Sequence, residues 1–305
     1  MIVVARDGEG GVDATAECLD SIYAHTHRSF EVVLVSNGAR GEAGAGVGAL
    51  AARWQARHGN LTYLRNADDA GYARACNQGL AAARGDYLAV MHNDVVVTPG
   101  WLGRLMAVMA IHPSVALVGP ALSSGPGAQA VGMRTYQSTS QLPEFAEHWA
   151  ANHTAEIAVV TPIAGVCMLM RRQVVRRLGG FDGAFGDGIH ADDDYCVRAY
   201  RAGFRMAVAF DAFVHHRGAA TFKQLGIDRK RAAAAAWAVF RDKWSVVEGT
   251  ARDAAICALI QAAPFDPARD HVPLADDGED AAAAPVADRA ARADSDPIAQ
   301  LHSFG

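Results

Sequence analysis

Short runs of consecutive apolar residues recur along the first 120 positions, separated by segments with a helical period. The runs are IVVA (2–5), FEVVLVSNG (30–38), LTYL (61–64), DYLAVM (86–91) and VALVGP (115–120). Near-continuous apolar strands are those buried on both faces, because a strand with one wet face alternates polar and apolar residues. Helical stretches lie between them at 13–26, 46–59, 72–85 and 98–113. The first has Asp13 as its expected N-cap and Cys18, Leu19, Ile22 and Tyr23 on one face. The last has Thr98 as its expected N-cap, Pro99 at the first helical position and Leu102, Leu105, Met106 and Met109 as a buried stripe. This alternation predicts an α/β fold: a mostly parallel, Rossmann-like sheet covered by helices on both faces, with a smaller second subregion. Ligands of such sheets sit at the carboxyl ends of the strands, which places Ser36-Asn37-Gly38 and His92-Asn93-Asp94 on one edge.

The second half reads differently. Residues 121–156 are rich in Gly, Ser and Gln and predict a long loop or flap. Residues 158–181 predict strand, turn, strand and helix, closed by Gly179-Gly180. Residues 190–203 predict a helix with acids at its start and Arg198 and Arg201 toward its end, which complements the helix dipole. Residues 204–218 predict a strand running into His215-His216, and 228–247 a further helix. From 264 onward large apolar residues are sparse, which predicts a flexible tail. The expected organisation is one domain over 1–263, in two halves (1–120 and 121–263), followed by a tail over 264–305.

A net charge of −5 without a basic cluster argues against nucleic acid as a partner. The five cysteines, with no CxxC, predict free buried thiols in a reducing compartment. No stretch reads as a signal peptide, and no run of about 18 apolar residues predicts a membrane span. The expected location is the cytoplasm, including the inner face of the membrane. The helix at 228–247 leaves two readings open. Trp237, Phe240, Trp244 and Val247 form either a core stripe or a peripheral contact with a membrane surface.

Three clusters carry chemistry. Asp94, at the end of a strand, suits Mg²⁺ or Mn²⁺, which prefer oxygen donors; the alternative is a turn-forming Asn93-Asp94 pair. Asp192, Asp193 and Asp194 crowd one helix start. One carboxylate suffices as a cap, and Asp194 can pair with Arg198 four residues on, so Asp192 is the freest to act as a general base. His215 and His216 point to opposite faces of their strand, so only one of them can face a site. The glycines at 38–48 do not have the spacing of a dinucleotide fingerprint.

Taken together, CLDSI (18–22), VLVSNGA (33–39), AGYARACNQG (70–79), GDYLAVMHNDVVVTPGWL (85–102), GVCMLMRR (165–172), LGGFD (178–182), DDDYCVRAYRAGFR (192–205) and HRGAAT (216–221) resemble family 2 glycosyltransferases of the GT-A fold. Their order and spacing over residues 2–222 are most similar to the subgroup that builds bacterial surface polysaccharides, including rhamnosyltransferases. The resemblance implies an inverting transfer of a sugar from a nucleoside-diphosphate donor to a saccharide or lipid-linked acceptor hydroxyl. It implies Asp94 and His216 as ligands of Mg²⁺ or Mn²⁺ and Asp192 as the general base. Ser36, Asn37, Gly71, Tyr72, Asn77 and Asn93 are then implied on the nucleotide side. The chain departs from the family pattern at Ser36, where Asp is frequent and touches the nucleobase. It departs again at His92, where an acid or Asn stands, and at Ala191, where Glu is frequent. A non-catalytic nucleotide-sugar-binding protein on the same scaffold and a sugar-phosphate nucleotidyltransferase are the alternative readings.

Overall fold

A computed structural model of the chain describes residues 1–6, 10–38, 41–132, 136–218 and 228–274. Its first half is a run of parallel strands. β1 (Ile2–Arg6), β2 (Val32–Asn37), β3 (Leu61–Asn66) and β4 (Tyr87–His92) lie in the order β3-β2-β1-β4. Helices α1 (Gly11–His25), α2 (Gly41–His58) and α3 (Tyr72–Ala82) connect them. β2 is buried along its whole length, as its unbroken apolar run requires. α3 comes so close to β1 that a Cβ on Gly79 would lie 2.2 Å from the Ile2 side chain, so only glycine fits there.

The sheet continues with β8 (Cys167–Arg171), antiparallel to both β4 and β6 (Val115–Leu122), and then with the long β9 (Arg205–His216), parallel to β6. Two short strands pair with β9 antiparallel: β5 (Val95–Val97) and β7 (Ile157–Val159). The valines after Asp94 are therefore a strand in their own right. The β6–β9 register shifts between Pro120↔Ala209 and Ala121↔Phe213. Beyond that shift, β9 places His216 opposite Val95. Two apolar layers, one on each face, close the fold.

Several local expectations change. α1 starts at Gly11 with Gly10 as its cap, and Asp13 lies in the first turn. α4 (Trp101–Ile111) starts after Gly100, because the Thr98 hydroxyl donates to the Phe213 carbonyl at 2.6 Å and does not cap. The expected loop at 121–156 holds helix α5 (Leu142–Asn152), whose Leu142, Ala146 and Ala150 are buried. Phe145 and Trp149 of α5 pack against a small cluster that contains Phe213. Helical spacing in LPEFAEHWAAN was therefore present beneath a composition that reads as loop. Four cysteines are buried and free, and Cys257 is exposed.

α6 (Arg172–Leu178) and α7 (Ala191–Arg201) meet in a buried polar network. Arg198 and Asp194 pair at 2.8 Å with both side chains fully buried. Arg198 also donates to the carbonyls of Leu178, Gly180 and Asp270, while Trp244 and Lys243 reach Asp194. Removing one member of such a buried pair costs about 3–5 kcal/mol, far above the value of an exposed helix pair. Phe240 and Trp244 of α8 (Arg229–Trp244) are buried, and Trp237 packs on the same core. The three aromatics therefore face the core, whereas Val247, the fourth expected member of the stripe, is exposed and lies beyond the end of the helix.

The boundary expected at 263 also moves. After α9 (Arg252–Ala262), the short α10 (Pro267–Asp270) buries Asp270 completely, and Leu274 joins the core. Gly180 donates to Val272, and Val272 to Leu178, each at 2.8 Å. Composition hid this because, besides Phe265 and Leu274, the anchors are one carboxylate and backbone groups. Ending the chain at 263 leaves Arg201 without Asp270, 3.8 Å away, and strips backbone partners from the α6 end. A chain ending at 263 is expected to melt about 10 °C below one ending at 274, from about 3–5 kcal/mol at about 2–4 °C per kcal/mol. Differential scanning calorimetry of the two decides, and equal melting temperatures would show that this segment contributes nothing. Residues 275–305, the rest of the expected tail, lie outside the described residues.

Candidate active site

β4 delivers its carboxyl end to the sheet edge at His92, and a two-residue turn leads into β5. Asn93 holds that turn to α1, donating to the Thr15 hydroxyl at 2.9 Å. Asp94 is held from the other side: Arg217 donates its N–H to the Asp94 carbonyl at 3.1 Å. The β5–β9 register brings His216 beside the carboxylate, with Nε2 3.4 Å from Asp94 Oδ1. Nδ1 of His216 lies 2.9 Å from the Ser124 carbonyl, which can only accept. Nδ1 therefore carries a proton and Nε2 faces Asp94: protonated, Nε2 can donate to the carboxylate; deprotonated, it offers a lone pair, as in metal-ligating histidines whose second nitrogen is fixed by a carbonyl. His215 points to the opposite face, its Nδ1 near Ser123 and Tyr136 hydroxyls. Of the two histidines, His216 is the one at the site.

His92 joins them, Nδ1 3.9 Å from the same oxygen. Ligand atoms of His92, Asp94 and His216 all lie within 4.8 Å of one another. Asp94 Oδ1 is buried without a hydrogen-bond partner. A buried carboxylate oxygen in that condition costs free energy unless a cation or donor meets it. The donor set and the orphaned oxygen together fit a divalent ion. Burial works to raise the Asp94 carboxyl, but the imidazoles of His216 and His92 outweigh it and hold the group below the ordinary carboxylate range.

On the nucleotide side the expected residues divide. Ser36 is fully buried, and Asn37 is bound up with protein: its amide donates to Asp69 at 2.6 Å, and its oxygen accepts from Ala70 N–H at 3.0 Å. Asp69 also accepts from Gly71 N–H at 2.9 Å, so it organises this turn, a role its sequence context did not signal. Gly71 has φ +84°, and a Cβ there would lie 2.8 Å from the Gly186 carbonyl, so glycine lets the turn approach the 186–188 segment. Tyr72 stands edge-on to His92 with ring centres 5.1 Å apart. Its phenol is pushed far up by burial, with Cys76, Asp192 and Asp94 adding to the effect, so it stays neutral. Asn77 does not reach the site. Both ends of its amide pair with the Phe181 backbone, at 2.8 and 2.7 Å. Asn93 faces α1, as described.

Asp192 opens the acidic start of α7. Its Oδ2 accepts from Gly165 N–H at 2.8 Å and its Oδ1 from Asp193 N–H at 3.0 Å. The carboxyl opens on a cleft of about 290 Å³ whose wall includes Gly127, Thr161, Pro162, Ala164, Arg252 and Asp253. Burial, and then the like charge of Asp193, push Asp192 up to about 6. Asp193 is turned away into contacts with His190 and Arg252, and Asp194 into the buried network. Burial would raise Asp193 too, but His190 and Arg252 hold it low. Two carboxyls driven apart in this way can serve different purposes.

A family model described as glycosyltransferase-like family 2 matches residues 1–235. The pre-mycofactocin glycosyltransferase of Mycobacterium tuberculosis is 31% identical over 159 residues, 52% of this chain and 33% of that protein. The O-antigen biosynthesis protein RfbC of Myxococcus xanthus is 30% identical over 219 residues, 68% of this chain and 16% of that protein. The chain thus spans a third or less of the length of these curated relatives. Among solved structures, the mannosyltransferase PcManGT from Pyrobaculum calidifontis, in complex with GDP-Man and Mn²⁺, superposes with a TM-score of 0.50 at 19% identity, over 84% of this chain and 78% of that one. GalNAc-T7 with UDP, GalNAc and Mn²⁺ gives a TM-score of 0.54 at 15% identity, over 70% and 43%. These likenesses show the GT-A fold. The parallel half-sheet ends on the turn that carries Asp94, the acidic helix follows in the expected order, and the family match runs through both, so the chain belongs to glycosyltransferase family 2.

Proposed function

We propose that this chain is an inverting, metal-dependent glycosyltransferase that moves a sugar from a nucleoside-diphosphate donor to an acceptor hydroxyl, in the synthesis of a surface polysaccharide or glycoconjugate. The observation that supports it most is the division of labour between two carboxylates. Asp94 offers an unpartnered oxygen beside two imidazoles, and Asp192, with its affinity for a proton raised, opens on a cleft. Asp94 and His216, with His92 as a third donor, would hold the cation. A divalent ion there supplies the positive charge that a leaving diphosphate requires.

The chain's own residues do the rest. Residues 1–120 form the donor half, with the nucleotide across the carboxyl ends of the first four strands, where Gly71 and Tyr72 shape its edge. Residues 121–263 form the acceptor half, since Gly127, Thr161, Pro162 and Ala164 wall the cleft beside Asp192. Asp192 takes the proton from the acceptor hydroxyl as that oxygen attacks the anomeric carbon. Attack comes from the face opposite the diphosphate, so one displacement inverts the centre. Among the described residues no helix is long and apolar enough to cross a membrane.

Two imidazoles and one carboxylate suit Mn²⁺ better than Mg²⁺, which prefers oxygen ligands. A panel of UDP-, GDP- and dTDP-sugars, titrated by calorimetry, is expected to yield a donor whose binding saturates at about tenfold lower Mn²⁺ than Mg²⁺. Transfer should release free nucleoside diphosphate. Pyrophosphate release would identify nucleotidyl transfer, and donor binding without turnover on any acceptor would identify a binding protein. Equal donor affinity with Mn²⁺ and with chelator would remove the metal from the site.

A further inference from the structure

The acidic start of α7 is held by a residue that lies beyond the matched family region. Arg252, the first residue of α9, grips both carboxylate oxygens of Asp193, with Nε 2.7 Å from Oδ2 and Nη2 on Oδ1. Its Nη1 donates to Asp253 at 2.8 Å, and His190 Nδ1 lies 2.7 Å from Asp193 Oδ2. Asp193 is only 2% exposed. Arg252 also lines the cleft onto which Asp192 opens.

Adjacent carboxylates with little water around them do not both ionise readily unless one is compensated. We propose that Arg252 is the positioning residue of the base: by clamping Asp193 it compensates that charge and keeps it turned away, so that Asp192 alone is presented to the acceptor hydroxyl. This rests on Asp192 being the base. The groups that face Asp192 are Asp193 and Cys196 on α7, Tyr72 on α3, the Gly165 N–H on the loop before β8, and Arg252 on α9, with Asp253 at the cleft wall. Tyr72 and Cys196 are pushed up by burial and stay neutral, so Arg252 supplies the cation of this set.

The test needs neither donor nor acceptor. Protein labelled with ¹³C at the aspartate side-chain carboxyl is titrated by NMR, with Asp192 assigned from the signal lost in Asp192→Asn. In the parent chain this carboxyl, which burial and the charge of Asp193 push up to about 6, is expected to show its midpoint there. Arg252→Gln is expected to move its midpoint up by about one pH unit, the lower end of the effect of a neighbouring opposite charge. Arg252→Lys, which keeps charge but loses the two-pronged grip, should fall between. Arg252→Gln combined with Asp193→Asn removes both charges of the pair, so that the buried Asp193 is not left uncompensated, and should return the midpoint to the parent value or below. A purely structural Arg252 would leave the midpoint in place in folded Arg252→Gln, or leave the double variant as high as the single, and either result overturns the proposal. The acid limb of transfer against pH should follow the same order. If Asp192→Asn keeps full transfer, the base assignment itself fails; if it loses transfer while the Arg252 variants titrate like the parent, only the role of Arg252 fails.

Discussion

Asp192→Asn is expected to lower turnover by about 10²-fold or more while donor affinity stays within about twofold, because the amide keeps the shape of the side chain but cannot accept the proton. Gly165 and Asp193 donate to different oxygens of Asp192, so the single amide oxygen of Asn keeps one of these N–H groups and its NH2 faces the other, and each variant's melting temperature is read beside its rate. The pH dependence gives the sign a second check. The base works only when ionised, so kcat/KM should rise with pH through a limb near 6, the value to which burial and Asp193 push this carboxyl, and then level off. Asp193→Asn is the control. It should reduce stability by disturbing the clamp with Arg252 and His190, yet leave much of the turnover. The measurement is a pH series of initial rates beside a donor titration for each variant. Abolished transfer in Asp193→Asn with normal transfer in Asp192→Asn would assign the base to the neighbour.

Asp94→Ala is expected to act on donor binding as well as rate. It removes the charged oxygen that His92 and His216 flank, and the charge stabilisation a site metal supplies is worth several kcal/mol, so nucleotide affinity in Mn²⁺ should fall by about 10²-fold. The variant in Mn²⁺ should then bind donor no better than the parent chain in chelator. Calorimetry under the four conditions decides. His216→Ala should give a smaller loss of the same kind, since it removes a neutral ligand. An Asp94→Ala protein that keeps its Mn²⁺-dependent affinity would make Asp94 a turn residue, as an Asn-Asp pair at a strand end can be.

Much of the frame was legible locally. Near-continuous apolar runs at 30–38, 86–91 and 115–120 mark strands buried on both faces, and β2, β4 and β6 are such strands. The positions of Asp94 after a strand end and of Asp192 at a helix start were legible as well, because each carboxylate stands in a recognisable order of elements. The misreadings share one cause. α5 was concealed by the composition around it, and the 264–274 segment by anchors that are polar or backbone groups. Asn77 carried the right residue type in the right motif, yet the Phe181 backbone takes its amide.

Sequence by itself determined the strand–helix alternation, and so the sheet and the edge where its strands end, because burial on both faces imposes a pattern each segment carries alone. It also determined which carboxylates stand at element ends. Only the tertiary structure decided which side chains meet. His216 reaches Asp94 through the pairing of β5 with β9, and the shift in β6–β9 register sets which histidine faces in; a slip of one residue would have presented His215. His92 becomes a third donor, and Arg252 reaches Asp193 across 59 positions, through contacts that no local periodicity encodes. Periodicity tells a residue which face it occupies, whereas its partner is chosen by how distant elements pack, and that choice also sets how dry, and hence how basic, Asp192 is.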